Sequence, residues 1–123
     1  MVEDGSSRPT PEEGVATMPR YLWQVSYSPD GARGVLDQGG SARRAAIVEA
    51  VESVGGRVEA CYFAFGPHDV VVIGEVPDDV AAAALSLRTA ASGAAISRTT
   101  VLLTPEQLDE ATQRDVRYRP PST

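Results

Sequence analysis

The sequence predicts an α+β fold in the order β-α-β-β-α-β, and three observations predict it. Four stretches alternate with the two-residue period of strands. Two stretches between them carry the i, i+4, i+7 spacing of an amphipathic helix. Glycine and proline clusters punctuate the boundaries: Gly39-Gly40, Gly55-Gly56, Gly66-Pro67 and Gly93.

Tyr21 to Tyr27 is the first strand, with Tyr21, Trp23 and Tyr27 on one face and Leu22, Gln24 and Ser26 on the other. Ser28-Pro29-Asp30-Gly31 reads as a turn, and Ala32 to Asp37 as a single helical turn. Ser41 then caps a helix running to about Val54, with Ile47, Val51 and Val54 as its apolar line. Gly55-Gly56 ends it. Val58 to Phe65 and Val70 to Val76 form a hairpin. Strict alternation puts Val58, Ala60, Tyr62 and Ala64 on one face of its first strand and Glu59, Cys61, Phe63 and Phe65 on the other.

Pro77-Asp78-Asp79 starts an alanine-rich helix from Val80 to Ala91, with carboxylates at its positive end. Ala95 to Leu103 is the fourth strand. Thr104-Pro105-Glu106-Gln107 carries the capping signature of a short terminal helix ending near Gln113. This order is the split βαβ arrangement of ferredoxin-like folds, a four-stranded antiparallel sheet with helices on one face. Both faces of the hairpin are apolar, so the open face would expose Phe, Tyr, Trp and Val side chains. Pressing two such faces together as a two-fold dimer is the simplest way to keep them dry.

Residues 1–17, rich in Pro, Gly, Ser and Glu, read as a flexible arm, and Met18-Pro19 as a second plausible start. Residues 18–113 form the domain and 114–123 a tail. The chain of 123 residues has a formal charge of −6, which argues against a nucleic-acid backbone as partner. All eleven basic residues are arginine, so lysine Schiff-base and pyridoxal chemistry are excluded. A single histidine and a single cysteine exclude an internal disulfide and a multi-His or Cys-rich metal site within one chain. No apolar run nears the ~20 residues that span a bilayer, and no secretory signal opens the chain. A cytoplasmic location is the default expectation.

Several residues could carry chemistry. His68, the only histidine, is a possible acid or base, although a hairpin turn is an ordinary place for a polar residue. Gly66 and Asp69 would shape that turn, glycine through positive φ and aspartate through nearby backbone amides. Gly39-Gly40-Ser41-Ala42-Arg43-Arg44 brings free amides, a hydroxyl and two arginines together, which suits a carboxylate or phosphate. The alternative is that Arg43 and Arg44 pair with acidic groups of a partner subunit or tail. Cys61, mid-strand beside Phe63, reads as a buried, inert thiol. Gln24, Ser26, Glu59 and Arg98 are polar strand positions that, with Trp23, Tyr62 and Phe63, could line a pocket for a small molecule.

From about Met18 to Glu110 the chain resembles the GYD domain family of the dimeric α/β-barrel superfamily. The blocks are MPRYLWQVSY, GGSARRAAI, VESVGGRVEACYFAFG, AAALSL and TTVLLTPEQLDEA. The family's naming motif is glycine, a variable residue, tyrosine and aspartate. Here it is Gly66, Pro67, His68 and Asp69, with histidine in place of tyrosine. The resemblance implies a ferredoxin-like protomer that dimerises into a barrel, and no settled activity. Superfamily neighbours include cofactor-free oxygenases, haem enzymes, and isomerases or cyclases. By fold analogy alone three roles compete. The first is a homodimeric module without cofactor that binds a small hydrophobic or anionic molecule or a protein partner. The second is a cofactor-independent isomerase, cyclase or oxygenase acting on an aromatic or polyketide-like substrate, with His68 and Arg98 as catalytic groups. The third is a structural barrel filled by its own side chains.

Overall fold

The computed structural model describes residues 18–122, so the proposed arm at 1–17 lies outside the described residues. The elements are β1 (Arg20–Tyr27), α1 (Pro29–Gln38), α2 (Gly40–Ser53), β2 (Arg57–Phe63), β3 (Val70–Glu75), α3 (Asp79–Ala91), β4 (Ala95–Leu102) and α4 (Pro105–Thr112). The strands make one antiparallel sheet in the order β2-β3-β1-β4. This is the ferredoxin-like fold, with two helices beyond its βαββαβ core: α4, as expected, and α1, longer than the single turn expected at Ala32 to Asp37.

Two helix starts differ from expectation. Ser28-Pro29-Asp30-Gly31 is a helix start and not a turn. The Ser28 side chain accepts from the Gly31 amide, Pro29 holds the first helical position, and Asp30 sits in the first turn. The same residue types serve both structures, and here the cap wins. Ser41 lies inside α2, whose N-cap is Gly39 without a side-chain cap. Gly39 ends α1 and begins α2 at φ 85, a corner that a side chain would strain.

Register decides the faces. Tyr21, Trp23 and Val25 share the helix side with Val70, Val72 and Gly74. The buried core is Tyr21, Trp23, Val70, Val72 and Val76 against Val51 of α2 and Ala82 of α3, with Ile47, Cys61 and Leu85 partly buried around it. Each of the core valines contributes roughly 1.5–3 kcal/mol when fully buried. Gly56 lets the α2–β2 corner close, since a Cβ there would run into the Glu75 carbonyl and come 2.7 Å from Val76.

The alternation expected for β2 is broken by a bulge at Glu59. Val58 pairs with Gly74, and Ala60 with the next residue, Ile73. Beyond it every side chain changes face. Cys61 and Phe63 join Val58 on the helix side, and Tyr62 joins Ala60 on the open side. β2 also stops at Phe63, two residues short of the expected end, and β4 at Leu102. The terminal cap reads as expected: Thr104 and Gln107 form a capping box. Residues 115–122 form no helix or strand.

Candidate functional site

Two surfaces carry functional side chains, one on each side of the sheet. The open face is mixed rather than uniformly apolar. Trp23 and Tyr21, expected among its exposed aromatics, lie under the helices, stacked with centroids 5.7 Å apart. Register puts Arg98, Gln24, Val71 and Tyr62 in one row across the open face, and Ile96 beside Ser26. Tyr62 is 71% exposed and Ile96 68% exposed. Leu22, Val71 and Ile73 are half-buried between them.

At one end of this face lies a charge cluster that sequence reasoning missed. Glu75 is the one charged residue among the buried positions described. It accepts from Arg20 at 2.9 Å and from Arg57 at 3.1 and 3.2 Å. Glu59, at the bulge, comes within 3.1 Å of the Arg20 Nε, off the hydrogen-bond line, as an ion pair. A charged residue closing the apolar run VVVIGEV was the available signal. Its two arginines are 55 and 18 residues away, and only the topology brings them together.

The hairpin motif is tied to β1 rather than closed on itself. The Asp69 carboxylate accepts from the Tyr27 amide at 2.8 Å, 42 residues away, and the Asp69 amide donates to the Val25 carbonyl at 2.8 Å. The expected local amide bond is thus replaced by a bond to the neighbouring strand. Gly66 does not have positive φ, and a Cβ there would meet nothing, so no backbone strain requires glycine at that position. His68 is half-buried, and its buried Nδ1 has no hydrogen-bond partner. Among the described residues no hydrogen bond or ion pair joins His68 to Arg98 or to a carboxylate. No cluster of three metal-ligating side chains is found among them either.

On the helix side a partly open cleft of about 160 Å³ runs between α2 and α3 over the sheet. Trp23, Arg43, Ile47, Leu85 and Ser97 are among its walls. Trp23 is 5% exposed and its Nε1 has no hydrogen-bond partner. Arg43 is half-buried in the first turn of α2, and Arg44 beside it is exposed. Neither has an ion-pair partner among the described residues. Of the expected pocket residues, Trp23 and Arg43 meet here. Gln24, Ser26, Glu59, Tyr62 and Arg98 lie across the sheet, while Phe63 is on the helix side against Gly40. Partial burial pushes the Cys61 thiol up, and Arg44 pulls the other way.

The phenol of Tyr21 donates to Asp79 at the start of α3 at 2.5 Å. Burial first, and then this carboxylate, push its pKa up to about 12. No described helix is long and apolar enough to cross a membrane.

The family model described as GYD domain matches residues 21–112. No curated protein matches the chain. Among solved structures, a feast or famine regulatory protein from M. tuberculosis, complexed with L-methionine, superposes with a TM-score of 0.50. It is 22% identical over 98% of this chain and 69% of its own. The leucine response regulatory protein of Mycobacterium tuberculosis superposes at 0.51, with 23% identity over 84% of this chain and 62% of its own. A transcriptional regulator gives 0.50 with 24% identity, over 94% and 65%. At these identities the likeness is one of fold.

Proposed function

The chain belongs to the GYD domain family, and from that premise we propose that it works as a homodimeric small-molecule-binding module. Two open sheet faces close on each other as an α/β barrel. The observation that carries this reading is the exposure of Tyr62 and Ile96, on the two edge strands of a face whose apolar centre is Leu22, Val71 and Ile73. Burying that surface against a second copy is favourable at roughly 25 cal/mol per Å². A two-fold axis needs only one self-complementary patch. Gln24 and Arg98 would then line the barrel interior, where polar groups orient a ligand. The apolar side chains Leu103 and Leu108, at and just before α4, are also exposed and gain cover from the second copy.

Binding of small molecules by the L-methionine-complexed neighbour is consistent with this role. The acidic charge disfavours nucleic acid as partner, and the cytoplasm is the proposed place of action.

Mass in solution tests the reading. A particle of twice 13.0 kDa at micromolar concentration, split by Tyr62→Arg with Ile96→Arg, supports it. A natural chain of 13.0 kDa under the same conditions overturns it.

A further inference from the structure

Apart from the barrel interior, the helix side of the sheet offers a small-molecule site of its own, with a place and a ligand chemistry that do not depend on the dimer. The cleft between α2 and α3 lies on the side of the sheet away from the proposed dimer face. Its volume of about 160 Å³ is close to that of apolar cavities of about 150 Å³ that take up benzene. One ring or one branched aliphatic chain fits.

The walls select the ligand. Trp23, Ile47, Val72 and Leu85 give the cleft an apolar, partly aromatic lining. Arg43 brings a guanidinium without an ion-pair partner among the described residues to the same cleft. Beside an apolar wall such a group holds a carboxylate through charge-assisted hydrogen bonds. No aspartate or glutamate lines the cleft, so it offers no counter-charge to an ammonium group.

We propose that this cleft binds a small monocarboxylate with a compact apolar body, an aromatic or branched-chain acid without an α-ammonium group. Arg43 engages the carboxylate, and Ile47 and Leu85 hold the body beside the Trp23 ring. The site departs in chemistry from an amino-acid pocket, because a zwitterion would leave its ammonium unpaired in the apolar cleft.

Trp23 is the only tryptophan, so the ¹⁵N-labelled full chain gives a single indole N–H resonance. Benzoate and 4-methylpentanoate are titrated against it, with benzamide and L-leucine as their neutral and zwitterionic counterparts. The expected result is a saturable indole shift with at least one acid, and affinity weaker by about tenfold or more for its counterpart. Arg43→Gln lowers the affinity for the acid by about tenfold and leaves benzamide unchanged. An indole resonance that neither acid moves overturns the proposal, as does Arg43→Gln binding the acid as tightly as the natural chain. If that variant does not fold, acid against counterpart on the natural chain decides the same question. A monomeric mass with the shifts intact removes the dimer and keeps the site. A dimeric mass with a silent indole does the reverse.

Discussion

Replacing Glu75 with glutamine perturbs the charge cluster while keeping its shape. The Glu75 side chain is 3% exposed and accepts three charge-assisted hydrogen bonds, from Arg20 and Arg57. Glutamine keeps one acceptor, loses the charge and turns an NH₂ toward a guanidinium, donor against donor. Breaking a fully buried pair costs about 3–5 kcal/mol. Here the arginine side chains are 33% and 57% exposed, so they can turn toward water and recover part of the loss. The expected cost is therefore about 2–3 kcal/mol. In a domain of this size that lowers Tm by roughly 10–20 °C. Urea unfolding followed by circular dichroism measures it, and Arg57→Gln with the double variant completes a cycle. The coupling between positions 57 and 75 should be about 1–2 kcal/mol. A cost below about 0.5 kcal/mol for Glu75→Gln, a typical surface value, refutes the idea that this cluster holds the β1–β3–β2 end of the sheet together.

Two further outcomes test the sheet's anchors. The Tyr21 phenol is neutral in the fold, with its pKa raised from 10.0 to about 12. Its stabilisation is therefore complete below pH ~10 and is lost as pH climbs toward ~12. Across that window the natural chain should lose up to about 3 kcal/mol more unfolding free energy than Tyr21→Phe. Parallel pH curves for the two proteins would count against it. Asp69→Ala removes the acceptor of the Tyr27 amide and should cost about 1–2 kcal/mol, while Asp69→Asn keeps an oxygen there and most of the stability. Hydrogen exchange at the Tyr27 amide reads this directly, and undiminished protection in Asp69→Ala rejects the role.

Local signals were legible and long-range ones were not. The strands of Tyr21–Tyr27 and Val70–Glu75, the α2 line of Ile47 and Val51, and the Thr104–Gln107 cap each depend on residues a few positions apart. The bulge at Glu59 depends on how β2 pairs with β3, so its reversal of Cys61, Tyr62 and Phe63 left no local trace. The side on which Trp23 lies follows from which face the helices cover, and alternation alone cannot choose it. Ser28-Pro29-Asp30-Gly31 is ambiguous in kind, because turns and helix starts draw on the same residues. The Glu75 cluster and the Asp69–Tyr27 bond join residues far apart in sequence, which topology alone brings together.

The bonds at Asp69 have a consequence for its neighbour. The backbone just after residue 68 is pinned at Asp69: the Ala64 amide to the Asp69 carbonyl, the Asp69 amide to Val25, and the Asp69 carboxylate to Tyr27. Whatever side chain stands at 68 is thus held on the same perch. The path of the turn is dictated from the neighbouring strand, and residue 68 is carried along by it rather than shaping it.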